Sequence, residues 1–149
     1  MILFINGSPN KDGNTARLAR ELIGDRPYEQ LNLAEHKVYG YGQNYGDDDF
    51  EDVLARIEAA DTLVVGSPVY WHNLSGMLRN LLDRFYGPVR EGSMSGKTLY
   101  FVFQGGAPTR EMLDWGEYTM KRFAALYGMT YGGMVDNTHE ARALSKKFA

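Results

Sequence analysis

The feature that most constrains the fold is a regular alternation of short apolar runs and amphipathic helical patterns along the sequence. The apolar runs predict strands at residues 2–5, 28–33, 62–65, 98–103 and 129–135. The helical patterns that follow them cover residues 15–23, 48–60, 74–85, 110–127 and 140–148. This alternation predicts an α/β, doubly wound fold, in which a five-stranded parallel sheet carries helices on both faces.

Length and composition narrow the class of protein. A chain of 149 residues fits one domain, predicted to span residues 1–149. The absence of cysteine excludes disulfides, thiolate metal sites and cysteine nucleophiles, and it suits a reducing cytoplasm. No nucleic-acid partner is expected, because the formal charge is -3 and the basic residues are scattered. Residues 1–5 are apolar but too short for a signal peptide or a membrane span, so no membrane association is expected.

The loop after the first predicted strand is typical of a phosphate site. It has the sequence NGSPNKDGNT over residues 6–15 and leads directly into a helix. Small and hydroxylic residues leave backbone N–H groups free to surround a phosphate, and a helix N-terminus favours an anion. It is not a Walker loop, because Asn14 stands where that motif needs lysine, and G-x-G-x-x-G is absent. The alternative is an ordinary turn in which Asn14 or Thr15 only caps the helix.

The loop after the third predicted strand has the sequence GSPVYWHN over residues 66–73. Two adjacent aromatic residues, Tyr70 and Trp71, suit packing against a planar ring such as a flavin. The alternative is that they cover the end of the sheet or an oligomer interface. His72 is expected to make a structural hydrogen bond rather than to act in catalysis.

The loop after the fourth predicted strand has the sequence QGGAPTR over residues 104–110. Adjacent glycines allow the backbone to approach a ligand closely and to present its N–H groups. The alternative is a tight connection in which Thr109 caps the next helix. All three loops follow strands of a parallel sheet, and ligands of such sheets bind at the carboxyl ends of the strands.

Together the three loops resemble the NAD(P)H-dependent FMN reductase family of flavodoxin-like proteins, including its iron–sulfur flavoprotein branch. The pattern G-S-P-x-x-x-G-N-T over residues 7–15 resembles that family's phosphate loop. Residues 61–84 resemble its flavin-ring loop and the helix that follows. The resemblance is clear from residue 1 to about residue 84 and looser beyond. It implies a flavodoxin-like form of the predicted fold.

The resemblance also implies roles for individual residues. The FMN phosphate would be held by a motif that includes Ser8, Asn10, Gly13, Asn14 and Thr15. The isoalloxazine ring and ribityl chain would be lined by Pro68, Val69, Tyr70, Trp71 and Asn73. The ring would be approached from a third side by Gly105 and Gly106.

One segment departs from the iron–sulfur branch. That branch carries a cysteine cluster between the second strand and the second helix, whereas this chain has YGYGQNYG at residues 39–46. No such cluster can form here. We interpret the segment as a mobile connecting loop, with a lid or an oligomer interface as the alternative.

Two functions follow from the resemblance. In the first, FMN accepts hydride from NADH or NADPH and the enzyme reduces a small acceptor such as a quinone, a flavin or an azo compound. In the second, the chain is a flavodoxin-type carrier that passes electrons between protein partners. The mild charge of -3 favours the enzyme, because such carriers have strongly acidic surfaces. A flavin-free binding protein on the same scaffold is a third possibility.

Neither a catalytic acid or base nor a metal is expected, because the flavin itself carries the chemistry. The resemblance further implies a homodimer or tetramer with FMN near the interface. Aromatic residues predicted to be exposed beside the site support that expectation, since such a patch is unusual on a monomer: Tyr39, Tyr41, Tyr45 and Trp71.

Overall fold

The computed structural model describes residues 1–148 and confirms the predicted alternation of strands and helices. The strands are β1 (Ile2–Asn6), β2 (Tyr28–Asn32), β3 (Thr62–Pro68), β4 (Thr98–Gln104) and β5 (Thr130–Val135). The helices are α1 (Asn14–Ile23), α2 (Phe50–Ala59), α3 (Gly76–Asp83), α4 (Arg110–Leu126) and α5 (Thr138–Ser145). A short 3₁₀ helix that the sequence did not predict, Leu33–Glu35, follows β2.

The strands form one parallel sheet in the order β2-β1-β3-β4-β5. The chain leaves β1 toward β2 on one side, and it leaves β3 toward β4 on the other. The strand order therefore reverses between β1 and β3, where Asn6, the last residue of β1, pairs with Gly66. This is the flavodoxin-like arrangement, and it brings the loops after β1 and β3 together at the carboxyl edge of the sheet.

Each face of the sheet buries its own set of side chains. Phe4 and Val64 point to the face covered by α1 and α5, whereas Leu3 and Ile5 point to the face covered by α2, α3 and α4. Successive residues of a strand point to opposite faces, so strands covered on both sides must be apolar throughout. Burying a side chain of this size contributes about 1.5–3 kcal/mol.

Strand β3 is longer than its apolar run predicted. It continues through Pro68, because Ser67 pairs with Phe103 and Pro68 with Gln104 in the register of β4. Glycine is required at position 66, since a Cβ atom there would lie 2.7 Å from Cγ2 of Thr15. The start of α1 therefore packs directly on the end of β3.

Strand β5 contains two glycines because of its neighbour β4. The register shifts between Leu99 and Tyr100, so that Tyr100 pairs with Gly133 and Gly132 is the extra residue. A Cβ atom on Gly132 would lie 2.4 Å from the ring of Tyr100. The ring of Tyr100 thus occupies the space that a side chain at position 132 would need.

Candidate functional site

The loop after β1 is organised by a buried asparagine. The side-chain amide of Asn6 donates to Oδ1 of Asn32 and to the carbonyl of Asn10, both at 3.1 Å, and its oxygen accepts from the N–H of Ser8. The hydroxyl oxygen of Ser8 accepts from the N–H of Asn10. These bonds fix the loop before any ligand binds. The sequence offered one signal for Asn6, a polar residue at the end of a buried strand.

Helix α1 begins at this loop without a side-chain cap. Gly13 occupies the N-cap position, and the first backbone bond of the helix runs from the N–H of Arg17 to its carbonyl at 3.0 Å. Within residues 1–148, the N–H groups of Asn14, Thr15 and Ala16 have no hydrogen-bond acceptor. The alternative in which Asn14 or Thr15 merely caps the helix is therefore wrong. The start of α1 presents free donors at the positive end of a helix.

The charges around this loop are compatible with an anion. Asp12 pairs with Arg20 at 2.5 Å, and this hydrogen bond raises the pKa of the Arg20 guanidinium. The guanidinium of Arg17 folds back onto the helix start and donates to Oδ1 of Asn14 at 2.6 Å. The loop's own carboxylate is thus neutralised, while a cation lies beside the free N–H groups.

The loop after β3 turns through a strained pair of residues. Tyr70 and Asn73 exchange backbone hydrogen bonds of 2.9 and 3.0 Å, which leaves Trp71 and His72 as the two residues of a tight turn. Both have positive φ, 47° and 66°, a conformation that favours Gly, Asn or Asp. The turn exposes 94% of Trp71. Nothing in the sequence indicated this conformation, because the usual turn residues are absent.

Gln104, at the end of β4, connects the three loops. Its side-chain amide donates to Oγ1 of Thr15 at 3.0 Å, and its carbonyl accepts from the N–H of Val69 at 2.8 Å. Next to it, a Cβ atom on Gly105 would lie 3.1 Å from Cβ of Val69. Gln104 had no predicted role, because its partners come from distant parts of the sequence that meet only in the folded sheet.

A pocket of about 280 Å³ opens between the second and third loops. It is lined by Val69, Trp71, His72, Gly105, Gly106, Ala107, Pro108 and Met112. The lining consists of glycine backbone, apolar side chains and one imidazole, which suits a flat and largely apolar ring. A larger groove of about 610 Å³ extends from Asn14 and Gln104 along α1 toward α5, and many of its side chains are charged.

The structure does not bring all the predicted ring-contacting residues into this pocket. Pro68 is buried as the last residue of β3. The side-chain oxygen of Asn73 accepts from the N–H of Leu74 at 2.9 Å, and Tyr70 lies outside the lining with 44% of its surface exposed.

In the third loop, Thr109 caps α4 by accepting from the N–H of Met112. The expectation that Thr109 caps the next helix is therefore correct.

The segment of residues 39–46 is held against α3. Arg84 donates to the carboxylate of Asp48 and, at 3.1 Å, to the carbonyl of Tyr39. The hydroxyl of Tyr39 donates to Asp47 at 2.9 Å, and its ring lies 4.5 Å from that of Tyr45. The role of this segment as a connection, lid or interface stays a prediction. Tyr41, Tyr45 and Trp71 are exposed as expected, whereas Tyr39 is half-buried.

Residues 1–148 contain neither a membrane-spanning helix nor a cluster of metal-ligating side chains. None of the helices there combines the length and apolar character that crossing a membrane requires. No group of three or more histidine, aspartate or glutamate side chains in that range is placed to hold a metal ion.

Comparison with known proteins identifies similar chains. The putative NAD(P)H-dependent FMN-containing oxidoreductase YwqN of Bacillus subtilis is 27% identical over 120 residues, covering 70% of this chain and 66% of that protein. An iron–sulfur flavoprotein of Archaeoglobus fulgidus is 33% identical over 96 residues, covering 56% of this chain and 47% of that protein. The matches thus span about half to two thirds of the length of these relatives.

Solved structures with the same fold cover nearly the whole chain. The Trp repressor binding protein from Bacillus subtilis superposes with a TM-score of 0.79 at 22% identity, covering 100% of this chain and 99% of that one. An FMN-dependent NADH-azoreductase from Bacillus anthracis, solved in complex with FMN, gives 0.70 at 15% identity, covering 98% and 94%. These likenesses confirm the flavodoxin-like fold.

The sequence also matches a family as a whole. The match to the family described as NADPH-dependent FMN reductase runs over residues 1–140 and includes all three loops of the candidate site. The resemblance noted in the first two loops therefore extends almost to the end of the chain. This protein belongs to the NADPH-dependent FMN reductase family.

Proposed function

We propose that the chain is an FMN-dependent oxidoreductase that takes hydride from NADH or NADPH and reduces a small acceptor. The observation that carries the proposal is the uncapped start of α1, where Asn14, Thr15 and Ala16 offer free N–H groups. A phosphate bound there completes the first turn of the helix. Each charge-assisted hydrogen bond of this kind contributes about 1.5–3 kcal/mol.

The side chains of the first loop have donors left for the same phosphate. Ser8 uses its hydroxyl oxygen to accept from Asn10, and Thr15 uses its own to accept from Gln104, so both hydroxyl protons remain available. Asn14 accepts from Arg17 through its oxygen, which leaves its amide N–H groups for an anion. Because the oxygens of these three side chains already accept hydrogen bonds within the protein, their remaining donors can be directed at a phosphate dianion.

The pocket between the second and third loops fits the flavin ring. Val69, Gly105 and Gly106 line it, the two glycines allow close backbone approach, and the exposed Trp71 also belongs to its lining. FMN, when bound, supplies the redox chemistry by accepting hydride and passing electrons on. The chain's part is to orient the ring, to donate N–H groups toward it and to limit access of water.

We favour a small-molecule acceptor over a protein partner. The pocket is open at the rim formed by Trp71 and His72, where a second flat molecule can reach the ring. Quinones, free flavins and azo compounds have that shape. We further propose that residues 1–149 act as one FMN-binding domain, that it works in the cytoplasm, which the lack of cysteine suits, and that it forms a homo-oligomer.

The test is direct reduction by a nicotinamide. The protein is purified without added flavin, the bound ligand is identified by mass, and the complex is mixed anaerobically with NADPH or NADH in a stopped-flow instrument. We expect FMN as the ligand and rapid loss of the yellow colour. A colourless protein would refute flavin binding, and a bound FMN that neither nicotinamide reduces would support the electron carrier instead.

A further inference from the structure

Thr15, the second residue of α1, is held in one orientation by the end of β3. Thr15 is 1% exposed, and its methyl carbon, Cγ2, lies 2.7 Å from the position that a Cβ atom on Gly66 would take. The methyl group therefore fills the space that the missing side chain of Gly66 leaves. Because a β-branched side chain has few allowed χ1 rotamers, this contact fixes the place of the hydroxyl oxygen.

The direction of the Thr15 hydroxyl proton depends on Gln104. A hydroxyl group has one proton to donate and two lone pairs that accept. Nε2 of Gln104 donates to this oxygen at 3.0 Å and so occupies one lone pair. Within residues 1–148 the hydroxyl proton of Thr15 has no acceptor. The proton therefore points away from Gln104 and is left for a ligand.

Gln104 is itself anchored by the sheet and by the second loop. Its backbone carbonyl accepts from the N–H of Val69 at 2.8 Å, and it pairs with Pro68, the last residue of β3. The residue is half-buried where β4 ends, and it lines the groove that begins beside Asn14. Its side chain thus reaches Thr15 from a fixed backbone outside the phosphate loop.

We propose that Gln104 is a positioning residue for the FMN phosphate, a role that rests on the proposed function. Its amide makes the Thr15 hydroxyl a donor toward the phosphate and thereby strengthens the preference for FMN over riboflavin. Gln104 acts through Thr15 and does not need to touch the ligand. A carboxylate in its place would reverse the polarity, because it only accepts hydrogen bonds and would draw the Thr15 proton toward itself.

Two substitutions separate the polarity of this hydrogen bond from its bracing effect. Gln104→Glu keeps a hydrogen bond to Thr15 but reverses its direction, whereas Gln104→Met keeps a similar length and loses the bond. The flavin-free full chain is titrated with FMN and with riboflavin. We expect FMN affinity to fall about thirty- to a hundredfold in Gln104→Glu and about threefold or less in Gln104→Met. Riboflavin affinity should change by less than about threefold in both, which also shows that both variants fold.

The charge that Gln104→Glu introduces is controlled in two ways. Thr15→Val removes the hydroxyl and keeps the branched shape, so in that background Gln104→Glu should lower FMN affinity only about fivefold or less. Asn137→Asp makes the same change from amide to carboxylate in the same groove, at a side chain that has no hydrogen bond to Thr15. It should leave FMN affinity within about threefold of wild type.

Several results would overturn the assignment. A larger loss of FMN affinity in Gln104→Met than in Gln104→Glu would show that the side chain only braces the loop. A loss in Gln104→Glu that persists undiminished beside Thr15→Val, or that Asn137→Asp reproduces, would show repulsion by charge alone. Equal losses for FMN and riboflavin would show a general packing role. A wild-type protein that binds FMN no more tightly than riboflavin would refute the phosphate site of the proposed function as well.

Discussion

Helix α1 begins differently from α3, α4 and α5. Helix α2 also lacks a side-chain cap on its N-cap residue, but the N–H of Phe50 has Oδ1 of Asp48 as its acceptor. Three helices begin with a side chain that accepts a backbone N–H from the first turn: Ser75 for α3, Thr109 for α4 and Asn137 for α5. Helix α1 begins with Gly13, which has no side chain to offer. A cap contributes about 1 kcal/mol, so the start of α1 forgoes stability that the other three helices have. Under the proposed function, a bound phosphate supplies the missing acceptors at the start of α1.

The largest expected effect comes from supplying α1 with a cap. Any side chain at position 13 crowds Cβ of Asn10, which lies 2.9 Å from the Cβ position, so Gly13→Ala is the control for Gly13→Asp. The added carboxylate should accept the free N–H groups and repel the phosphate. Relative to Gly13→Ala, we expect FMN affinity to fall about a hundredfold and the flavin-free protein to gain about 0.5–1 kcal/mol.

Both quantities are measurable, by FMN titration and by urea unfolding of the flavin-free protein. A variant that gained stability yet still bound FMN like Gly13→Ala would show that the N–H groups of α1 do not hold the phosphate.

Removing the caps of α4 and α5 should lower the stability of the protein without weakening FMN binding. Thr109→Ala and Asn137→Ala each leave a first-turn N–H without its acceptor, at Met112 and Glu140 respectively. We expect each to lower the free energy of unfolding by about 1 kcal/mol and to leave FMN affinity within about threefold. Large losses of FMN affinity in both would mean that α1 is not distinct from these helices.

The smallest expected effect concerns the strained turn of the second loop. Asparagine tolerates positive φ better than histidine, so His72→Asn should stabilise the protein by about 0.5 kcal/mol. Because no side-chain acid or base is proposed, flavin reduction by NADPH should stay within about tenfold of wild type, a change of at most about 1.4 kcal/mol. A thousandfold loss of reduction rate with FMN still bound would identify His72 as a catalytic residue.

Much of the fold was predictable because each element has its own local pattern. Helix α4 shows a clear 3.6-residue periodicity, and Gly128, which follows its C-terminal end, has a φ of 83°, a conformation that favours glycine. The end of β3 was not predictable, because Ser67 and Pro68 are held in the sheet by their register with β4 rather than by apolar character.

The candidate site was predictable only in part. The small polar residues before a helix mark the loop of residues 6–15 as a candidate site in the sequence. The role of Asn6, in contrast, depends on its hydrogen bond to Asn32, which comes from β2. The contact of Gln104 with Thr15 likewise joins residues far apart in the sequence. Such partners become visible only when the order of the strands is known.

The most direct measurement compares FMN with riboflavin, which differ by the phosphate alone. In the double variant Asn14→Ala/Thr15→Ala, we expect FMN affinity to fall about ten- to a thousandfold, because charge-assisted hydrogen bonds to the phosphate are lost. Riboflavin affinity, measured by the same titration, should change by less than about threefold, a difference below about 0.7 kcal/mol. Equal losses for the two ligands would show that the loop at the start of α1 does not hold the phosphate.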